Sequence, residues 1–372
     1  MPKTTITRML LNTIMTLLLL LSFAAVAVIA SLYLAPTFGA KPSGDTLSKI
    51  EKSKQSHKGI FVNSVETVLS TRSPGDSMDL STYIFPAKDK NPTMPLPSVK
   101  FDKAQFKSGD FVWFGHSTLM FHSNTLTIMS DPVFNRASPI PIGGKPFAMQ
   151  ASPRIDLLPK IDVVIISHDH YDHLDHLAIA ELALRVNLFL VPLGIQDHLL
   201  RWGVSAANIV ELDWYETHTI ADTVFTLTPA RHFSGRGVSN RNSTLWGSWV
   251  IQSPGTSVFY GGDSGYFDGF KTIGDQFGPF DIAFIENGAY DKQWSQIHMQ
   301  PEEAVQAAMD VNAKVFFPIH WGKFDLAKHP WKEPIERVVQ IAEEKNMPIA
   351  ASVIGKIFRL ESIPFEAWWE NE

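Results

Sequence analysis

The chain has 372 residues, 32 basic against 38 acidic side chains for a formal net charge of −6, 45% hydrophobic residues and no cysteine. With 25 Phe and 10 Trp to bury, intrinsic disorder is excluded, and the acidic balance argues against a nucleic-acid partner, whose phosphates need neutralising. The missing thiols exclude disulfides, Cys₄ zinc sites, iron–sulfur clusters and a thiol nucleophile.

In chain order, the first feature is an uncharged run of 32 residues from Met9 to Ala40, dense in LLLLLSFAAVAVIASLYL. A helix of about 20 apolar residues spans a bilayer, whereas the apolar part of a signal peptide is about 7–15 residues. No small-x-small cleavage site follows at 36–40, and no polar face interrupts the run. With Lys3 and Arg8 in front, residues 1–40 read as an uncleaved single-pass signal anchor, a cleaved signal peptide being the alternative. The short basic N-terminus places the body on the exported, periplasmic side. Lys41, Lys49, Lys52 and Lys54 flank the other end, so the positive-inside count does not itself favour that orientation. Residues 41–98, rich in Lys, Ser, Asp and Pro, read as a linker and an extended lead-in wrapping the domain. Residues 99–372 read as one large domain.

From Phe101 the pattern changes. Short apolar or alternating runs at 111–115, 119–121 and 125–129 predict strands. Asp162–Ser167 predicts a buried strand, 174–186 a helix and 188–191 a strand. Further strands are expected at 223–228, 245–252, 257–260, 281–285, 314–319 and 349–353, and helices at 268–277, 301–311 and 333–345. Runs of strands interrupted by helices suggest a mixed α/β sandwich, not a regular doubly wound sheet.

The chemistry gathers after the strand DVVIIS, in His168-Asp169-His170-Tyr171-Asp172-His173. This H-x-H-x-D-H follows a buried strand and opens a helix, a place where α/β folds put their sites. Three imidazoles and a carboxylate so close together suit zinc and its neighbours. Alternation by two points His168 and His170 at one metal, while Asp172 and His173 reach a second. More ligands must come from other strand ends. His232 follows VFTLTPA, Asp263 follows SVFYGG, whose glycines allow close backbone approach, and His320 follows KVFFPI.

This ordered set resembles the metallo-β-lactamase fold, a four-layer αββα sandwich. The segments WFGHST (113–118), SDPVFNRASP (130–139), LPKIDVVIISHDHYDHLD (158–175), GGDSGY (261–266) and IHWGKF (319–324) resemble, more narrowly, the N-acyl-phosphatidylethanolamine-hydrolysing phospholipase D family. That resemblance runs from about residue 100 to about 355 and leaves out the apolar run at the N-terminus. It implies a hydrolase domain over 99–372 with two Zn²⁺. His168, His170 and His232 would bind one, Asp172, His173 and His320 the other, and Asp263 would bridge them together with a hydroxide. The implied activity is phosphodiester hydrolysis of a membrane phospholipid to N-acylethanolamine and phosphatidic acid.

Four residues are candidates for catalytic or supporting roles. Asp263 is the bridge. Asp131, after the strand TLTIMS, is placed to accept from a ligand His N–H, and His116 in Gly115-His116-Ser117 to do similar work. His298, just before the helix at 301–311, is a candidate phosphate contact. Arg231 and Arg236 are further phosphate candidates, with a solvated loop arginine as the alternative. Tyr290, Trp294, Trp321, Trp331, Trp368 and Trp369 divide between an acyl groove and the core. Two other functions compete: a lactonase or other small-molecule hydrolase on the same fold, and a non-catalytic, membrane-anchored envelope protein with a structural metal. The filled bridging position argues against the latter, since structural zinc sites are closed and mononuclear.

Overall fold

The computed structural model describes residues 3–71, 88–140, 143–237 and 239–371. The part of the lead-in at 72–87 lies outside the described residues. The chain begins with α1 (Lys3–Leu34), whose stretch Arg8–Ala27 is long and apolar enough to cross a membrane and is not buried by the rest of the molecule. A short strap, 35–40, connects it to the body.

The lead-in is more ordered than its composition suggests. Gly44–Lys52 forms α2, with Thr46 and Ile50 buried. The hairpin β1 (Ser56–His57) and β2 (Ile60–Phe61) follows. Ile50, Phe61 and Leu96 all enter the main core. Single apolar residues in a polar stretch give no periodicity, so a composition-based reading takes this segment for a linker.

Two sheets then stack. The first runs β15-β3-β4-β5-β6-β7-β8, with β3 at Asp110–Trp113, β4 at Leu119–His122, β5 at Thr127–Ser130, β6 at Ile161–Ile165, β7 at Val186–Pro192, β8 at Ile209–Leu212 and β15 at Ile357–Arg359. The second runs β14-β13-β12-β11-β10-β9, with β9 at Thr217–Ile220, β10 at Thr223–Thr228, β11 at Ser248–Ser253, β12 at Thr256–Tyr260, β13 at Ile282–Glu286 and β14 at Phe316–Ile319. Strands β5 to β8 are parallel, as are β12 to β14. Parallel strands covered on both faces read as unbroken apolar runs, and β6 shows why: Val163 and Ile165 enter the core between the sheets, while Val164 and Ile166, just past its end, enter a second core.

Helices α3 (His176–Leu182) and α4 (Gln196–Arg201) close that second core through Ala178, Ile179, Leu182 and Leu199. On the other side, α5 (Gly269–Phe277), α6 (Pro301–Asp310) and α7 (Glu333–Glu344) pack against the second sheet. The layers are helix, sheet, sheet, helix: the four-layer sandwich of the metallo-β-lactamase fold.

Some boundaries differ from expectation. The helix expected over 174–186 spans only His176–Leu182, because Asp175 caps it by accepting from Leu177 N at 3.0 Å and Ala178 N at 3.3 Å, and β7 already begins at Val186. The strand expected at 349–353 reduces to isolated bridges, Ile349 to Phe316 and Ala351 to Phe365. Elements α4, β8, β9 and β15 were not expected; most are short, and β9 and β15 lie at sheet edges.

Candidate metal centre

Both sheets end their parallel strands at one edge, and the polar residues just beyond those ends meet there. The first sheet supplies Asp131 after β5 and Ser167–His173 after β6. The second supplies His232 beyond β10, Asp263 beyond β12, Glu286 at the end of β13 and His320 after β14. Gly262 allows the sheets to close, because its φ of +58° carries a Cβ position only 2.6 Å from that of Ser167. Three site residues are also held in the left-handed region, His116 at +55°, Asp131 at +35° and His320 at +68°. Such residues cost about 1–3 kcal/mol each and persist where surrounding structure enforces them. Here the enforcement is visible: His116 N donates to Trp321 O and His320 N to His116 O, both at 3.0 Å.

The expected ligands fall into two adjoining groups. His168, His170 and His232 form one, and Asp172, His173 and His320, with His116, form another. Asp263 lies between them. Its Oδ1 is 3.1 Å from His173 Nε2, and its Oδ2 is 3.2 Å from His320 Nε2 and 3.8 Å from both His168 Nε2 and His232 Nε2. In each group the ligand atoms all lie within 4.8 Å of one another.

The donor chemistry fits a metal. His232 Nδ1 donates to Ile297 O at 2.9 Å, His173 Nδ1 to Asp131 Oδ2 at 2.7 Å and His320 Nδ1 to Gly288 O at 3.4 Å. With the outer nitrogen donating, each Nε2 is the atom turned toward the centre, as in a metal ligand. Burial lowers His173 and His320, but Asp263 and Asp172 outweigh it and raise both, so in these two rings a metal would displace a proton. His170 Nδ1 faces both His168 Nε2 at 2.9 Å and His232 Nε2 at 3.3 Å. One proton cannot satisfy three converging nitrogens. Buried His173 Nε2 and Asp263 Oδ1 have no hydrogen-bond partner among the described residues. Burial and the surrounding imidazoles hold His168 well below the ordinary histidine value, so it is neutral, as coordination needs. Burial alone would raise Asp263, but His173 and His320 outweigh it and keep the carboxyl ionised.

The supporting residues sort themselves by contact. Besides His173, Asp131 accepts from Ser167 N at 2.7 Å, Ser167 Oγ at 2.5 Å and Tyr260 OH at 2.6 Å. His116 sits with Nε2 3.1 Å from Asp172 Oδ2. Burial and neighbouring His320 push it down to about 3, so as a neutral donor it orients that carboxylate. His298 lines a cavity of about 310 Å³ over Asp172, Asp263 and His320, with its Nδ1 2.7 Å from Glu286 Oε2. Glu286 escaped the sequence reading. The signal was present, an acid closing the apolar strand IAFIE, the same strand-end rule that picks out Asp263. Ser167 and Tyr260 carried no comparable signal.

Neither arginine is among the described residues lining the cavity over the metal ligands; both are bonded within the protein. Arg231 donates to Thr67 Oγ1, Glu66 O and Tyr266 O. Arg236 is buried and donates from Nη1 to Asp169 O and Leu174 O, both at 2.7 Å, and from Nε and Nη2 to Thr37 O at 3.0 and 2.8 Å. Its charge is spent tying the metal loop to the strap. Of the aromatic candidates, Trp294 lines the cavity, while Trp321, Trp331, Trp368 and Trp369 pack in the core.

Comparison with known proteins agrees with the geometry. Residues 127–321 match a family described as a beta-lactamase superfamily domain. The chain belongs to that superfamily and has its metallo-hydrolase fold. Among its relatives, an uncharacterised protein of Mycobacterium tuberculosis is 41% identical over 282 residues, 74% of this chain and 76% of that protein. An N-acyl-phosphatidylethanolamine-hydrolysing phospholipase D of Caenorhabditis elegans is 32% identical over 270 residues, 68% of this chain and 76% of that one. The solved structure of the metallo hydrolase Igni18 of Ignicoccus hospitalis matches with a TM-score of 0.51 at 20% identity, over 67% of this chain and 97% of its own, a likeness of fold alone.

Proposed function

We propose that this hydrolase is a dinuclear zinc phosphodiesterase of phospholipase D type, cleaving N-acyl-phosphatidylethanolamine-like lipids to N-acylethanolamine and phosphatidic acid. The observation that carries the reading is Asp263, placed between two His/Asp groups beneath a cavity with apolar walls from Leu69, Phe233, Trp294 and Leu326. The similarity to the worm phospholipase D supports the substrate class.

His168, His170 and His232 would hold one zinc, Asp172, His173 and His320 the other, with Asp263 shared. When bound, such a pair supplies Lewis acidity toward phosphoryl oxygens and lowers the pKa of water to near neutral. The chain's own residues do the rest. Asp131 holds the tautomer of His173, and His116 orients Asp172. Glu286 fixes Nδ1 of His298, leaving Nε2 as the ring nitrogen available to a phosphate oxygen in the cavity. The apolar wall takes the acyl chain and excludes water from the reacting diester. Helix α1 would anchor the chain in a single pass, with the domain on the exported side.

The test is turnover of N-acyl-phosphatidylethanolamine vesicles by the full chain in ¹⁸O-water. The expected result is one label in phosphatidic acid and none in N-acylethanolamine. Label in a released fatty acid means acyl-ester cleavage and hands the site to the esterase or lactonase reading. No turnover of lipid, lactone or soluble diester by metal-loaded protein leaves the non-catalytic reading.

A further inference from the structure

A second cavity of about 480 Å³ lies between the loop after β5 and the start of α3. Among the described residues it shares no lining residue with the cavity over the metal ligands. Its walls include Thr37, Arg136, Ile140, Lys145, Tyr171 and Leu177. Nothing in the proposed hydrolysis uses it.

Position is the first argument for an occupant. Thr37 lies three residues past Leu34, the last residue of α1, so at most about 10 Å of chain separates this wall from the helix end. The polar layer on each side of a bilayer is about 5–8 Å deep. The strap also cannot swing. Its Pro36 O accepts from Trp202 Nε1 at 2.8 Å, its Thr37 O accepts twice from Arg236, and its Ala40 N donates to His198 Nδ1 at 2.9 Å. With α1 in a membrane, the cavity is held at headgroup depth.

Wall chemistry is the second argument. Ile140 and Leu177, 51% and 54% exposed, present large apolar side chains to solvent at the cavity, surface that an acyl chain would cover at about 25 cal/mol per Å². Charge is the third. The chain carries −6 overall, yet Arg136 and Lys145 line this cavity and Arg236 sits in its wall. The carboxylate among the lining residues, Asp175, is consumed by the α3 cap and by Phe134 N, Asn135 N and Asn135 Nδ2 at 2.8–3.1 Å. The result is a net-positive, half-apolar recess at the membrane end of a net-negative protein.

We propose that this cavity binds an anionic phospholipid of the surrounding bilayer, its phosphate against Arg136 and Lys145 and the top of its acyl chain against Ile140 and Leu177. The proposal rests on reading α1 as a membrane anchor. The bound lipid is not the substrate, since none of the proposed metal ligands is among the described residues lining the cavity. It seats the domain on the membrane in one attitude, with the metal loop pinned to the strap through Arg236.

The experiment uses the full chain in lipid nanodiscs containing phosphatidylglycerol with a photoactivatable group near the headgroup, and adducts mapped by peptide mass spectrometry. Adducts are expected within 134–140 and 171–177. Removing each cation near a surface weakens anionic-lipid attraction about fivefold, so Arg136→Gln with Lys145→Gln should cut the adduct yield about twenty-five-fold, with metal content and melting temperature unchanged. Leu177→Glu, which places an acid on the exposed helix wall, should also suppress it. Equal labelling by a photoactivatable phosphatidylcholine, or yields untouched by all three substitutions, overturns the proposal. Displacement of the lipid by glycerol 3-phosphate also overturns it, by assigning the cavity to soluble phosphate esters. A chain that stays in the bilayer but gives no adduct leaves the anchor intact and removes the lipid site alone. A chain that washes out of bilayers removes both.

Discussion

Cutting the chain just before residue 35 and just before residue 41 should yield domains of clearly different stability, although both remove the apolar helix. The shorter product loses Pro36 O as acceptor for Trp202, Thr37 O as double acceptor for Arg236, and the Ala40 N–H donated to His198. Water can replace these partners once the strap is gone, so each loss counts at its net value, about 0.5–1.5 kcal/mol for a neutral hydrogen bond and more for one from a guanidinium. Together they amount to about 3–5 kcal/mol. For a product of this length, unfolding with about 2.1 cal/mol/K per residue, that corresponds to a fall in Tm of about 4–7 °C. The same loss loosens Arg236, whose other two bonds hold Asp169 O and Leu174 O on either side of the metal-ligating turn, so the shorter domain should also release metal faster to a chelator. Circular dichroism melting and chelator kinetics, at matched metal and ionic strength, read both effects. Melting curves that coincide within about 1 °C would refute the argument that the strap is part of the fold.

The metal centre gives three more expectations. Full-length protein should hold close to two zinc-type ions, and Asp263→Ala should lower that number in elemental analysis; a single ion unaffected by the substitution rules out the shared-ligand arrangement. Asp131→Asn should weaken metal binding or activity about 10–100-fold, because an amide no longer fixes His173 with Nε2 inward, and equal metal affinity in wild type and variant would contradict this. Lys323 is buried, donates to Phe114 O at 3.2 Å and Val133 O at 2.7 Å, and is pushed by burial down to about 7. Its unfolded value is about 10.4, so the unfolded chain binds the extra proton between those values and stability should rise with pH from about 7 to 10. Lys323→Met should flatten that rise in melting experiments across the window, and an unchanged slope would mean the lysine is protonated in the fold throughout.

Much of the fold was legible because its strands are buried and parallel. DVVIIS, SVFYGG and KVFFPI read as unbroken apolar runs ending in polar residues, and in a parallel sheet those ends share one edge. The same rule locates His168, Asp263 and His320 without knowing how the strands are ordered; His232 follows β10, which pairs antiparallel on both sides and reaches the same edge because it runs in the direction of β12, two strands away. It fails where burial is partial. Strand β9, Thr217–Ile220, alternates between exposed and half-buried residues at the sheet edge, so its side chains carry little apolar signal. Helix α2 buries only Thr46 and Ile50 of nine residues, too few for a helical stripe to stand out among lysines and serines.

What stayed hidden is the hydrogen-bonding that turns a set of ligand types into a site. Tyr260 reaches Asp131 across 129 residues of sequence, and Ser167 reaches it through both its N–H and its hydroxyl. A tyrosine ending an apolar strand and a serine before a histidine are ordinary residues until the sheets stack. Arg236 shows the reverse error. Beside His232 in a glycine-containing loop it suggests an anion contact, yet a guanidinium buried this deeply stabilises the structure only where fixed acceptors meet its fork. Three backbone carbonyls do so here, one of them just past the apolar helix α1. The charge that read as a phosphate candidate or a solvated loop arginine instead couples the strap after α1 to the turn that carries His168, His170, Asp172 and His173. Substitutions there should therefore disturb stability and metal retention together, before they alter any contact with a phosphate.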